Sequence, residues 1–283
     1  MENDFDLSIA QVIKKYGLLN NRSRSKALGQ HFLCDLSLLR KIASCALEID
    51  DDSDIIEIGP GPCGLTRAIS EIAGRSRIFC IEKDISLKPI HDNIKAHSKS
   101  NLHFIYQDAL KIKLRDLTDK NIVIISNLPY NIGTRLLVNW LFDIKGITKM
   151  VLMFQKEVGD RICADVNSKD YGRLSIISQL LCRTEKLFDV SPLAFHPPPK
   201  IISSVVKLTP NGRFIENLPI LETLTHNCFA NRRKTIHSIL KRMKKPNAEG
   251  MLQRCNIGVL SRPENICPEK FLALSKEIEN ANI

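Results

Sequence analysis

Ile56-Glu57-Ile58-Gly59-Pro60-Gly61-Pro62-Cys63-Gly64 runs from an apolar stretch into a segment with helical spacing. The spacing predicts a strand over Asp54–Ile58, a glycine loop, and a helix over 64–73. Glycines in such a loop let the backbone come close to a ligand and take turn conformations closed to other residues. Taken alone, Gly59-x-Gly61-x-x-Gly64 is shared by many nucleotide-binding proteins and is weak evidence. Two details narrow it. Glu57 precedes the first glycine, where its carboxylate would repel a pyrophosphate, and Pro60 and Pro62 lack the N–H groups a phosphate cradle uses. A positively charged ligand without phosphate fits better, and S-adenosylmethionine is one.

Outward from this loop, strands and helices alternate. Strands are expected at Asp54–Ile58, Arg77–Glu82, Leu102–Tyr106, Ile122–Ser126 and Lys149–Phe154, with helices at 64–73 and 85–97 between them. An earlier short helix is expected over 5–16 and another near 35–48. This alternation predicts an α/β fold, Rossmann-like, with a mostly parallel sheet. Leu187–Val190 and Ser203–Leu208 could complete it as an antiparallel edge, joined through the stiff Pro197-Pro198-Pro199 run. From Phe214 the pattern becomes helical, near 217–229, 232–244 and 268–279, and predicts a small all-helical second domain. The division expected is 1–34 for an N-terminal helix and basic segment, 35–210 for the α/β domain and 211–283 for the helical domain.

Four successive strands end on polar groups: Glu57, Glu82, Asp108 and Asn127. Ligands of open α/β sheets bind across these carboxyl ends, and an acid about 20 residues after the glycine loop can accept from ribose hydroxyls. Glu82 lies 23 residues after Gly59 and suits that role; Asp108 can accept from the adenine amine of a cofactor. Asn127 opens the turn Asn127-Leu128-Pro129-Tyr130. Pro129 keeps Leu128 out of the helical region, so the Asn127 side-chain oxygen and the Leu128 carbonyl offer two acceptors beside the Tyr130 ring. Two acceptors next to a stacking surface suit a planar base with an exocyclic amine, and adenine is such a base.

Composition sets the class of partner. The net charge of +10, from 41 basic and 31 acidic side chains, favours an anionic partner, nucleic acid first. Between Asn231 and Lys245 there are seven basic residues and no acid, whereas Asp50-Asp51-Asp52-Ser53-Asp54 is acidic. The stretch at 232–245 reads either as a solvated face or as a phosphate-binding one, with Arg232, Arg233, Lys234 and Lys241 the candidates for RNA. Nine cysteines are scattered without a C-x-x-C pair, so no metal is expected and the thiols read as reduced and structural. The N-terminus has no secretory pattern and no apolar run approaches the roughly 20 residues of a membrane span, so a soluble cytoplasmic protein, without membrane contact, is expected.

An ordered set of motifs then gives a resemblance. Gly29-Gln30-His31-Phe32-Leu33, Glu57-Ile58-Gly59-Pro60-Gly61, Asn127-Leu128-Pro129-Tyr130-Asn131-Ile132, Gln155-Lys156-Glu157-Val158, Tyr171-Gly172-Arg173-Leu174-Ser175, Phe195-His196-Pro197-Pro198-Pro199-Lys200 and Arg232-Arg233-Lys234-Thr235 follow one another from near Lys26 almost to the C-terminus. Together they resemble the KsgA-type small-subunit ribosomal RNA adenine N6,N6-dimethyltransferases, class I S-adenosylmethionine-dependent enzymes. The resemblance implies that His31, Leu33, Gly59, Gly61, Glu82, Asp108 and Asn127 line the cofactor site. It implies that Asn127, Leu128 and Tyr130 serve catalysis and that Phe195 holds the second face of the base, although a lone loop phenylalanine is more often a packing residue. The implied substrate is a pair of adjacent adenines near the 3′ end of 16S rRNA in the immature 30S subunit, met by a monomer. A related large-subunit methyltransferase of the macrolide-resistance type, and an assembly factor acting mainly by binding, are the alternatives. Cys63, where many class I methyltransferases have a third glycine, implies a slightly different turn.

Overall fold

The computed structural model of the chain describes residues 3–19, 31–46 and 52–281. The basic segment Asn20–Lys26, the motif residues Gly29 and Gln30, and Asp50 and Asp51 lie outside the described residues. The chain packs as two units, one holding the residues up to Gly159 together with Glu185–Thr209, the other holding Asp160–Thr184 and the residues from Pro210 onward. The stretch 160–184 therefore belongs with the later helices and not, as the division at 210 would have it, with the sheet.

In the first unit, α1 (Ile9–Lys15) starts on a capping box between Ser8 and Gln11 and buries Ile9, Val12 and Ile13. A two-residue strand β1 (Phe32–Leu33) leads to α2 (Leu36–Ser44), whose cap is the Asp35 carboxylate on the Leu38 N–H at 3.1 Å. Then come β2 (Ser53–Ile58), α3 (Gly64–Ser70), β3 (Arg77–Glu82), α4 (Lys88–His97), β4 (Asn101–Tyr106), β5 (Asn121–Asn127), α5 (Gly133–Phe142) and β6 (Ile147–Gln155). The short helix α6 (Lys156–Ile162) follows, and beyond the helix α7 (Arg173–Leu181) lie β7 (Cys182–Val190), β8 (Phe195–His196) and β9 (Ser203–Pro210). The main sheet has seven strands in the order β4-β3-β2-β5-β6-β9-β7. β2 to β6 pair in parallel and β9 pairs antiparallel with β6, as the expected antiparallel edge requires.

Branched residues explain the sheet. Ile55, Ile56, Ile78, Ile81, Ile122, Ile124 and Ile125 are all 1% exposed or less, the near-continuous apolar runs of strands covered on both faces. One end is tied by charge: Asp54, fully buried, accepts from the Arg77 guanidinium and from Thr118 Oγ1 at 2.6 Å. The other end carries the site. The chain steps from β2 through β3 to β4, then returns to the far side of β2 to form β5, so the order reverses between β2 and β5. Beneath this reversal the buried Ser126 hydroxyl donates to the Ile58 carbonyl at 2.8 Å and fixes β5 to β2.

The second unit is helical. α7 is joined by α8 (Leu218–Ala230), α9 (Ile236–Arg242), α10 (Ala248–Arg254) and α11 (Pro268–Asn280), and α7 packs against α8 and α11. Leu221, Leu224, Cys228, Ile239, Leu252, Phe271 and Leu274 are buried between them. Tyr171, 1% exposed, donates from its hydroxyl to the Ile266 carbonyl at 2.8 Å, so the Tyr171–Ser175 motif builds this unit's core. The helix expected over 232–244 is shorter, because Thr235 is its N-cap and Lys244 takes a left-handed conformation (φ 55°) after its end. α10 is a further helix that periodicity did not indicate.

Candidate active site

A cavity of about 400 Å³ opens over the carboxyl ends of the first four parallel strands. Its polar walls come from four neighbouring strands in space: Asp108 after β4, Glu82 at the end of β3, Glu57 in β2 and Asn127 at the end of β5. Gly59, Gly61, His31, Leu33, Leu128 and Tyr130 also line it. The seven residues expected at the cofactor thus meet in one place, together with three of the four expected at the chemistry.

The glycine loop is built for close approach. Gly59 and Gly61 sit at φ 67° and 54°, and a Cβ at Gly61 would lie 3.2 Å from the Phe32 ring. Cys63 takes the left-handed conformation that glycine would take (φ 62°, ψ 28°), directly before α3. The cysteine is fully buried. Glu82, 8% exposed, accepts from the Asp84 N–H at 2.8 Å and the Gly61 N–H at 3.3 Å, while burial raises its pKa. Asp108 caps the following turn through Leu110 N–H and pairs with Lys83 at 2.9 Å; that hydrogen bond, then the Leu110 one, lowers its pKa.

Glu57 plays a different part from the one its charge suggested. It is 1% exposed, accepts from Thr66 Oγ1 at 2.7 Å, and burial pushes its pKa up to about 8. Burial thus favours its protonated form, and the case against a phosphate rests on the N–H groups that Pro60 and Pro62 lack.

In the turn after β5, the Pro129 carbonyl accepts from the N–H groups of Ile132 and Gly133 and starts α5. The Leu128 carbonyl is not used in this way, although the Leu128 side chain is buried. Among the described residues, no group hydrogen-bonds the Asn127 carboxamide. Tyr130 is fixed through its hydroxyl to Ser203 at 2.5 Å and stacks at 6.3 Å on the His31 ring. His31 in turn donates from Nδ1 to the Pro197 carbonyl at 2.8 Å. Phe195 is not brought to this cavity. Its backbone pairs with Leu33 in the small β1–β8 sheet, and its ring is 4% exposed within the hydrophobic core. The reading of its ring as a second stacking face gives way to packing.

Of the basic candidates in the second unit, Arg233, Lys234 and Lys241 are exposed. Arg232 is otherwise engaged. It donates to Glu264 at 2.9 Å and to the Lys169 and Ser168 carbonyls at 2.7 and 3.0 Å, tying the turn before α9 to the one before α7. Sequence reasoning missed Lys83, Leu110 and Arg135, which also line the cavity. Lys83 and Leu110 lie within a few residues of a strand end, and that proximity was the available signal; Arg135 lies in α5, where no such signal points to it. Among the described residues no group of acidic, histidine or cysteine side chains could hold a metal ion.

A reversal point in a parallel sheet, a glycine loop without a phosphate cradle, and polar strand ends define a Rossmann-like methyltransferase. A model of the ribosomal RNA adenine dimethylases matches residues 20–280. The chain is 42% identical over 275 residues, 96% of its own length and 93% of the relative's, to ribosomal RNA small subunit methyltransferase A of Rhodospirillum rubrum. A dimethyladenosine transferase from Plasmodium falciparum superposes with a TM-score of 0.76 at 27% identity, over 89% of this chain and 99% of that one. The 23S rRNA methyltransferase ErmE shares the fold, with a TM-score of 0.65 at 24% identity over 88% of this chain and 99% of its own. The chain belongs to the ribosomal RNA adenine dimethylase family, whose members are S-adenosylmethionine-dependent RNA methyltransferases.

Proposed function

We propose that this protein transfers methyl groups from S-adenosylmethionine to N6 of two adjacent adenines near the 3′ end of small-subunit rRNA, giving N6,N6-dimethyladenine. One observation carries the reading: the Asn127–Tyr130 turn shares a cavity with Glu82, Asp108 and the glycine loop. The cavity's volume is that of a small-molecule site. Its donor set suits S-adenosylmethionine, with carboxylates for ribose and adenine and a loop whose prolines exclude a phosphate cradle.

When bound, S-adenosylmethionine supplies a methyl group activated on a positively charged sulfur. The protein's residues have the task of presenting the amine. The lone pair of N6 is delocalised into the ring, so adenine is a poor nucleophile. Asn127 Oδ1 and the Leu128 carbonyl accept from the amine hydrogens and turn the lone pair outward. Tyr130, held by Ser203, stacks on a base taken out of its helix. A neutral carboxamide does not demand two donors, so a nitrogen with one methyl still fits. The proton released goes to water, and positioning supplies most of the rate. Arg233, Lys234 and Lys241 serve RNA phosphates, with Arg232 as their structural support.

The curated relative's name favours the small subunit over the large. We infer a cytoplasmic enzyme acting as a monomer; no described helix is long and apolar enough to cross a membrane, and all nine cysteines are free thiols. Incubation with labelled S-adenosylmethionine and either immature small subunits or large-subunit RNA tests the reading. Label is expected in the small-subunit RNA alone. Binding to small-subunit particles without any transfer would favour an assembly factor.

A further inference from the structure

Behind the glycine loop lies a buried imidazole that the chemistry above does not use. His91, on α4, is fully buried. Its Nε2 is 2.9 Å from the Gly61 carbonyl and its Nδ1 is 2.9 Å from the Tyr106 hydroxyl. A carbonyl can only accept, so Nε2 carries the hydrogen and Nδ1 accepts from Tyr106. The ring is stacked on Phe104 (4.4 Å, 10°) and on Tyr106 (5.7 Å, 19°), both from β4. Burial holds its pKa down at about 4, with the Lys88 charge acting in the same direction and the Gly61 hydrogen bond and the Asp92 and Asp84 charges opposing it, so the ring is neutral at neutral pH.

Gly61 stands between two prolines, which have no N–H to donate. The bonds that hold the loop among the described residues include Gly59 N–H to the Ile81 carbonyl at 2.8 Å, Cys63 N–H to the Pro60 carbonyl at 2.9 Å, a long contact of the Cys63 thiol to the Gly61 carbonyl at 4.0 Å, and the other bonds of Gly61. Gly61 N–H reaches the Glu82 carboxylate and its carbonyl takes the His91 hydrogen. Turning this residue would move both the loop and the carboxylate facing the cavity.

We propose that His91 is a positioning residue of the methyl-donor site, orienting Gly61 so that the glycine loop and the Glu82 carboxylate are preformed for the nucleoside part of S-adenosylmethionine. Tyr106 acts through it by fixing the tautomer. This rests on the reading of the cavity as the S-adenosylmethionine site.

The test uses the full chain and S-adenosylhomocysteine as the probe, with affinities from calorimetry and KM and kcat from transfer to small subunits. His91→Leu is expected to weaken S-adenosylhomocysteine binding roughly tenfold, the scale of one hydrogen bond, and to raise the KM for S-adenosylmethionine by a similar factor with kcat within about twofold. His91→Gln, which retains an N–H donor, should recover most of the loss. Tyr106→Phe should weaken binding by a smaller factor. Wild-type affinity in His91→Leu would overturn the proposal while leaving the cavity's assignment intact. Equal loss of binding, kcat and thermal midpoint in His91→Leu and His91→Gln would also overturn it, in favour of a packing role. Failure of the wild-type protein to bind S-adenosylhomocysteine would instead overturn the assignment of the cavity itself.

Discussion

Asn127 and Arg232 each open a short motif on which the family resemblance rests, yet their polar atoms are used in opposite ways. The Asn127 carboxamide lines a cavity and, among the described residues, has no hydrogen-bond partner. The Arg232 guanidinium has three, all within its own unit. A buried or half-buried polar group with unmet hydrogen-bonding capacity is available to a ligand; one whose capacity is met holds the fold together. The two strand-end glutamates both line the cavity but have different partners: Glu82 accepts from the Asp84 and Gly61 N–H groups and orders the loop, whereas Glu57 accepts from the Thr66 hydroxyl and the Cys80 thiol.

This contrast can be sharpened by substitution. The largest effect is expected from Glu82→Ala, which removes the carboxylate proposed to accept from two ribose hydroxyls. S-adenosylhomocysteine affinity, read by calorimetry, should fall roughly 100-fold, while Lys234→Ala in the second unit leaves it unchanged. Arg232→Ala should act on stability instead, lowering the unfolding free energy in urea by roughly 1.5–3 kcal/mol through its charged hydrogen bonds. Lys241→Ala, at an exposed position, should change stability by less than about 0.5 kcal/mol and should weaken RNA binding more at low salt than at high. Equal stability losses in both would remove the distinction drawn between them.

A third effect depends on pH. The folded-state pKa of Glu57 lies above the usual carboxylate value, at about 8, so the folded protein holds a proton that the unfolded chain releases. Stability from this group is fully present below its usual pKa of 4.5 and is lost as pH rises from there to about 8. Glu57→Gln removes the titration and should flatten that decline, most visibly in thermal midpoints compared at pH 6 and pH 8.5. The smallest effect is expected at Cys63. Cys63→Gly relieves about 1 kcal/mol of left-handed strain but gives up buried contacts, so the net change should stay within about 1 kcal/mol. Cys63→Val, which adds branching at the same backbone angle, should cost more.

Local pattern carried the sheet. Arg77–Glu82 emerged with the expected bounds, and the other expected strands lie within or at the edges of the observed ones, because branched apolar runs announce buried parallel strands. What was hidden depends on distant partners. β1 and β8 are two residues each and exist only because Phe32 meets His196 and Leu33 meets Phe195. The burial of Phe195 follows from that pairing, and no local feature of the Phe195–Lys200 motif reveals it. Likewise Arg232 reads as one more basic residue until Glu264 and the carbonyls before α7 are brought beside it. The assignment of 160–184 to the helical unit has the same origin, since Tyr171 finds its partners near Ile266 and Phe229. The four polar strand ends were legible because each needed only its own strand to place it.

The central claim, that the Asn127 turn receives the amine of the target adenine, is tested most directly by Asn127→Ala. Its single-turnover transfer to immature small subunits is measured beside its affinity for S-adenosylhomocysteine. Transfer is predicted to fall roughly 100- to 1,000-fold, the scale of one lost transition-state acceptor, with affinity for S-adenosylhomocysteine and for the subunit retained. An Asn127→Ala protein that forms N6,N6-dimethyladenine at the wild-type rate would contradict it.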